Sequence, residues 1–447
     1  MSLFGALDTA VSGLSAQSAA FGNISDNVAN SQTVGFKGTN TAFSDYLTTS
    51  TATVNTSGAV GTTPDYQNNV QGTIAQSSDG LALAISGQGF FPVSLPVGTA
   101  NGQTSFSPTP YYTRAGDFQM NSSGYLVNSA GNYLNGWTVN PSSGVVSQNA
   151  TAPIQVSQTA YNPVATSTLS LSANLPATPA ATTAVSSQIN VYDSLGTSHG
   201  ITLNWTQSTT TPNRWTVQIV SPDDRNAAPT AAVTDASGNH VLGTADVSFA
   251  NNGTIQSITS PVSDYGTVNG LTAGGTGTAA SLNFSSQFTA GNNQAITLNL
   301  GNFGQANGVT QYAGTTYSLN SITQDGVPPG SFSSVSTTTS GNIVVNYNNG
   351  QSRTIAEVPL VTFNNPDALQ RQNGQAYTAT QDSGTPRTEA AGTNGAGSLV
   401  TGSVEDSNVD IAGQFTQLIV AQNAYSANAK VVTTANTLLQ DTLDMLR

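Results

Sequence analysis

His199 and His240 are the only imidazoles in this chain of 447 residues, and it has no cysteine. Thiolate catalysis and thiolate metal sites are thereby excluded. His199 follows Asp193-Ser194-Leu195-Gly196-Thr197-Ser198, a turn-like stretch behind a predicted strand, and reads as a turn residue rather than a base. Serines are too common here for a Ser/His/Asp arrangement to be informative. The pair Asp223-Asp224 sits between Pro222 and Arg225 and reads as a solvated turn, while Glu405-Asp406 reads as negative charge at a helix start. The loops lack the dense, regularly spaced Asp and Asn of a calcium site. Gly87-Gln88-Gly89-Phe90-Phe91-Pro92 puts Pro92 where a dinucleotide-binding loop needs its third glycine, and neither Lys37 nor Lys430 lies in a Gly-Lys-Ser/Thr context. A glycosidase carboxylate pair stays open, since separation in space is not legible from sequence. With 22 Asp and Glu and 7% aromatics, a sugar cleft is disfavoured. The residues therefore point to no catalytic, cofactor or metal site and to a protein that is not an enzyme.

Composition narrows the class. Only 7% of residues are charged, against about 25% in ordinary globular chains. Nine Lys and Arg against 22 Asp and Glu give a net charge of −13. That excludes a phosphate-tracking surface for nucleic acid and a polybasic grip on anionic membranes. No apolar run is long enough to span a bilayer, so no membrane insertion is expected. The first ten residues carry no Lys or Arg, so no secretory n-region is present. The composition nevertheless looks extracellular, rich in Ser, Thr, Asn and Gly and poor in Lys. Export without a cleaved signal peptide is the expectation.

The elements that organise such a chain are unlike at its ends and in its middle. Leu3, Leu7, Ala10, Leu14, Gln17, Phe21, Ile24 and Val28 follow four-three spacing, the seam of a heptad repeat, and predict a helix from about residue 3 to 29. Ile411, Phe415, Leu418, Gln422, Tyr425, Ala429, Val432, Asn436, Leu439, Leu443 and Leu446 repeat it over 405–447, with Ser407 and Asp410 as a capping box. Each seam alone would face water. The economical solution is a coiled coil formed by both termini; two unrelated core-packing helices are the alternative that periodicity leaves open. Between about 75 and 365, short β-type runs recur, including Leu81–Ile85, Ile201–Trp205, Trp215–Val220 and Ile343–Tyr347. Asp79-Gly80, Asn252-Gly253 and Asn349-Gly350 mark turns. Two mainly-β sandwich or barrel domains fit. Pro-, Ala- and Thr-rich stretches at 151–184 and 206–234 read as loops or junctions, and 266–281 as an exposed loop. Segments 31–75 and 366–404 read as linkers ordered only by neighbours.

Specific motifs add to this. Asn23-Ile24-Ser25-Asp26-Asn27-Val28-Ala29-Asn30 followed by Thr33-Val34-Gly35-Phe36-Lys37 resembles the N-terminal signature of the flagellar rod and hook axial protein family. Ser407-Asn408-Val409-Asp410 with Ala421-Gln422-Asn423-Ala424-Tyr425 resembles its C-terminal signature. Ala84-Ile85-Ser86-Gly87-Gln88-Gly89-Phe90-Phe91 and Tyr112-Thr113-Arg114-Ala115-Gly116-Asp117-Phe118 resemble the family's inner β-domain. Val191-Tyr192-Asp193-Ser194-Leu195-Gly196-Thr197-Ser198-His199 resembles the outer β-domain of its longer members.

The resemblance implies an inner domain over 76–154 and 306–365 with an outer domain, 155–305, inserted between. It implies a structural subunit that self-assembles into a flexible hollow tube coupling rod to filament, with a distal-rod subunit as the alternative. A secreted β-rich adhesin or carbohydrate-active enzyme is the alternative of another class. Implied partners are further copies of the chain, the flagellar rod, the cap and junction proteins and the flagellar export apparatus. The seam residues Leu3, Leu7, Leu14, Phe21, Ile24, Val28, Ile411, Phe415, Leu418, Tyr425, Val432, Leu439, Leu443 and Leu446 are expected to carry assembly. The signature residues are Asn27, Asn30, Gly35, Phe36, Lys37, Gly87, Gly89, Phe90, Arg114, Gly116, Asn408, Val409 and Asp410.

Overall fold

The computed structural model describes residues 3–445 except 51–52, 54, 101–102, 141–142, 180–183, 226–233, 236, 264–274 and 290–291. It is mostly β, with a helix near each end: α1 (Leu3–Ala29) and α2 (Ile411–Met445). α2 starts where its heptad pattern does, at Ile411, and not at 405, where the C-terminal helical segment is expected to begin. Ser403–Glu405 is a strand, paired antiparallel with Ile74–Gln76. Asp410 sets the start by accepting a hydrogen bond from the Ala412 N–H through Oδ1 (3.1 Å), the usual act of an N-cap. Ser407 Oγ accepts from the Val409 N–H at 3.4 Å instead of joining a capping box.

The chain divides into two compact units: Met1–Gln158 with Ser333–Asn346 and Ser352–Arg447, and Thr159–Phe332 with Tyr347–Gln351. In the first, an eleven-stranded sheet runs through Ser352–Glu357, Tyr133–Val139, Phe91–Ser94, Tyr111–Thr113, Ala376–Thr378 and Gln370–Gln372. Phe91 and Phe118 meet edge to face, ring centroids 5.5 Å apart, and Leu126 and Leu134 of the same sheet are buried too.

The segments read as linkers have partners within the chain. Residues 366–404 supply Gln370–Gln372 and Ala376–Thr378 to the sheet, and Ser398–Thr401 pairs with Leu83–Ser86. Residues 31–75 form an antiparallel hairpin, β1 (Thr39–Ser50) and β2 (Asn55–Tyr66). It lies along α1, where Ser12 Oγ accepts from the Val60 N–H (3.0 Å) and Asn23 Nδ2 donates to Thr41 Oγ1 (2.8 Å). Both segments are polar, so composition alone hides hydrogen-bond partners that lie hundreds of residues away.

The second unit has two five-stranded sheets. One is an antiparallel meander of Val185–Tyr192, Ser198–Gln207, Arg214–Ser221, His240–Phe249 and Ile255–Ser263. The other centres on Thr168–Pro176, which pairs with Asn292–Asn302, Val309–Tyr312 and Ser318–Gln324. Alternate residues of both sheets fill one shared core around Trp205 and Trp215, as two stacked sheets must. Thr168–Pro176 lies inside the 151–184 stretch read as a loop. Its Leu169, Leu171, Ala173 and Leu175 alternate with polar residues and are all buried, a period of two that outweighs composition. Because Val309–Tyr312 and Ser318–Gln324 return to this strand, the unit runs on to Phe332 and does not end near 305. Of the stretch 266–281, residues up to 274 lie outside the described part, and Ala279–Thr289 is a strand rather than a loop.

Candidate functional site

The two chain ends meet in the first unit. α1 and α2 pack side by side, and small residues line their contact. Ala10, Gly13, Ala16, Ala20, Ile24 and Asn27 are buried on α1, and Gln414, Ala421 and Ala435 on α2. The helices approach so closely that a Cβ on Gly13 would lie 2.8 Å from Asn428 Nδ2. Helix separation follows the size of the side chains between them, so the bulky seam residues are displaced to the flanks. Leu7, Leu14, Phe21, Val28, Leu418, Val432 and Leu439 are half-buried, and Phe21 meets Tyr425 edge to face at 6.2 Å. Ile411, Phe415 and Tyr425 are 43%, 52% and 42% exposed. The positions nearest α1 on α2 thus run 414, 421, 428 and 435, not through Ile411, Phe415, Gln422 and Asn436. The side chains of Leu3 and Leu443, and Leu446 altogether, lie outside the described residues.

The signature residues hold the helix ends to the sheet. Asn27 is 1% exposed. Its Oδ1 accepts from the Thr39 N–H (2.9 Å), and its Nδ2 donates to the Thr39 carbonyl (2.9 Å) and to Gln414 Oε1 (3.1 Å). One side chain thereby satisfies both backbone groups of the first residue of β1 and ties α1 to α2. Asn30 closes α1, its Nδ2 donating to the Asp26 carbonyl (3.0 Å). Asn408 Oδ1 accepts from the Gly38 N–H (2.7 Å), and Asn408 Nδ2 donates to the carbonyls of Gln67 and Val70. Val409 is half-buried beside it. Gly87 donates its N–H to Gln71 Oε1 (2.9 Å), and Gly89 follows in the turn into Phe91–Ser94. Phe90 lies in a buried cluster with Tyr112, Val361, Phe363, Leu369 and Tyr377, and the Gly116 carbonyl accepts from the Leu83 N–H (2.8 Å).

At the centre is a buried ion cluster. Lys37 Nζ donates to Glu405 Oε1 at 2.5 Å and Arg114 Nη1 to Glu405 Oε2 at 3.0 Å, with side chains 0%, 2% and 0% exposed. Lys37 Nζ also reaches the Val70 carbonyl (2.6 Å), Arg114 Nη2 the Gly87 carbonyl (2.9 Å), and Glu405 Oε1 takes the Gly72 N–H (2.8 Å). Glu405 is therefore no helix-start charge but the anion between two buried cations. Burial pulls the Lys37 amine down to about 8; Glu405 opposes this and Arg114 adds to it. Gly35 brings the chain against this cluster with φ +68°, and a Cβ there would fall 2.4 Å from the Ala115 nitrogen. Only glycine fits so close a backbone approach at positive φ. Arg371, which no sequence pattern singles out, donates through Nη2 to the carbonyls of Lys37 (2.5 Å) and Gly38 (3.1 Å). It stacks over Phe36 and Tyr66 at 5.8 and 4.8 Å.

The other candidate chemistry, in the second unit, supports the framework. His199 lies between Asp193 (3.4 Å) and Asp223 (3.6 Å) and stacks on Phe288. The string Gly196-Thr197-Ser198-His199-Gly200 has the form of a nucleophile elbow, but it joins two strands of a meander, whereas the elbow needs a strand leading into a helix. Asp224, read as part of a solvated turn, is fully buried. It accepts from Ser286 Oγ (2.9 Å) and the Gln287 N–H (2.7 Å) and faces His240 Nδ1 at 3.2 Å. Asp193 takes the Leu195 and Thr197 N–H groups at its turn, and Asp223 and Asp224 take those of Gly200 and Gln287 in strands, where a bare N–H would be costly.

The parts match known families in chain order. The model of the flagella basal body rod protein family matches residues 7–37, and that of the flagellar hook protein FlgE/F/G D1 domain residues 84–168. The flagellar basal body protein FlaE D2 domain matches 155–327, and the flagellar basal body rod FlgEFG protein C-terminal family 400–445. The flagellar hook protein FlgE of Brucella abortus is 30% identical over 451 residues, covering all of both chains. That of Rhizobium meliloti is 30% identical over 454 residues, again covering all of both. That of Salmonella typhimurium is 30% identical over 450 residues, 98% of each. Among the described residues no helix is long and apolar enough to cross a membrane.

Proposed function

The chain belongs to the flagellar hook protein family, whose members are structural subunits of the bacterial flagellum, and from that premise we propose how its parts build a tube. The inner stripe of α1 and α2 is used within the subunit, as a short coiled-coil-like pair. The outer stripe is used between copies. Neighbouring pairs then pack into a hollow tube, and rod, cap and junction proteins meet the same helices at its two ends. The export apparatus delivers the chain to the growing tube. The second unit, with a Ser-, Thr- and Asn-rich, charge-poor surface, gives neighbours small wet contacts. Such contacts exchange at low cost as the tube bends.

The observation that carries this is the apolar surface left on α2 after it has paired with α1. Ile411, Phe415 and Ile419, spaced by four on one face, are 43%, 52% and 57% exposed, and Val420 is 63% exposed. A soluble monomer gains nothing from such a stripe. Electron microscopy of the concentrated protein should show curved hollow tubes. A Phe415→Ser, Ile419→Ser double variant should keep its helix content by circular dichroism and stay monomeric. Tubes forming from that variant as readily as from the parent would refute the proposal.

A further inference from the structure

The ion cluster joins parts of the chain that are far apart in sequence. Lys37 follows α1, Arg114 directly follows the strand Tyr111–Thr113 of the first unit, and Glu405 directly precedes the segment that caps α2; the sequence separations to Glu405 are 368 and 291 residues. Both cations are buried, and Arg114 lies close enough to Lys37 to disfavour its charge. Among the described residues, Glu405 is the one carboxylate paired with either. The remaining acceptors, the carbonyls of Val70 and Gly87, are neutral. The backbone around Glu405 contributes as well. Its carbonyl accepts from the Gly35 N–H (2.7 Å), and the Asp406 N–H donates to the Thr73 carbonyl (2.8 Å).

We propose that Lys37, Arg114 and Glu405 form an ordering latch: the segment after α1 docks on the sheet only when the segment before α2 is present. Without Glu405, docking residues 33–38 against Arg114 and Ala115 buries two like charges with no anion between them. Breaking a buried pair in that way is far more costly than leaving the segment in water. A chain emerging N-terminus first therefore leaves the segment after α1 undocked until residue 405 arrives. Neither helix is placed before the other, and a half-made chain presents no finished assembly surface. This rests on the geometry of one chain and stands apart from the tube proposal.

Hydrogen exchange on the full-length monomer tests it. Glu405→Gln should speed exchange of the Gly35 and Thr39 amides by about a hundredfold to a thousandfold or more, the loss expected of a broken buried pair, while Val217 in the second unit stays as in the parent. Adding Lys37→Met to Glu405→Gln removes one of the two cations and should recover most of the protection. In pulse-labelled refolding of the parent, Gly35 and Val404 should become protected in the same phase. Unchanged exchange in Glu405→Gln, a double variant no better protected than the single, or protection of Gly35 ahead of Val404 would each overturn the latch.

Discussion

Replacing Asn27 by Ala removes three hydrogen bonds and leaves the N–H and carbonyl of Thr39 buried without partners, beside an unpaired Gln414. An orphaned buried polar group costs about 1–3 kcal/mol. The two backbone groups of Thr39, itself 6% exposed, thus set a loss of about 3 kcal/mol for the first unit. At about 2–4 °C per kcal/mol for a unit of this size, its melting point should fall by about 6–12 °C. Asn27→Asp separates the acceptor half from the donor half. At neutral pH its carboxylate still takes the Thr39 N–H but faces the Thr39 carbonyl and Gln414 Oε1, so it should be at least as damaging as alanine. On acidification the protonated oxygen becomes a donor, and part of the loss should return. Urea unfolding followed by the helical circular dichroism signal, at neutral and mildly acid pH, measures both. An Asn27→Ala chain within about 0.5 kcal/mol of the parent, the range of ordinary surface changes, would refute the reasoning.

Leu418→Asp, at the half-buried flank of the helix pair, should cost several kcal/mol and block tube formation and motility. Thr210→Asp, on an exposed turn of the second unit, should leave both intact; a motile Leu418→Asp strain would count against the helix packing. Lys37 gives a pH signature. Its folded value of about 8 lies below the ordinary lysine value of 10.5, so between those limits the unfolded chain binds the extra proton and stability rises with pH. Subtracting the stability curve of Lys37→Met from that of the parent should show this rise, and a flat difference from pH 8 to 10.5 would contradict it.

The parts legible in the sequence were those that local physics determines. The heptad pattern marks α1 to within a residue of Leu3–Ala29, and turn residues with β-branched runs mark Asn342–Tyr347; Arg214–Ser221 carries such a run too and is a strand, although the 206–234 stretch around it reads by composition as a loop. Where partners are remote, the local signal misleads. Glu405 looks like a helix-start charge because nothing nearby in sequence announces Lys37 or Arg114. Arg371 looks like a surface residue because its acceptors, the carbonyls of Lys37 and Gly38, have no sequence signature. The stripe on α2 was misplaced for a different reason. A search for bulky apolar residues passes over Ala421 and Ala435, whose small size is what lets the helices approach. Thr168–Pro176 carries its alternation inside a Pro-, Ala- and Thr-rich setting that reads as a loop.

Where the chain enters and leaves the second unit it is clasped to itself. Tyr161 bridges Gly330, and Val164 bridges Val327 through a reciprocal pair of 2.9 Å hydrogen bonds. Antiparallel neighbours of this kind have Cα atoms only about 5.5 Å apart. Whatever lies between them is, for the rest of the chain, a loop whose ends are already closed, and lengthening such a loop adds little entropic cost. The clasp is therefore a socket. A foreign domain with adjacent termini could replace residues 165–326 without disturbing the strands outside it, giving a way to display a chosen protein at regular intervals along a filamentous scaffold.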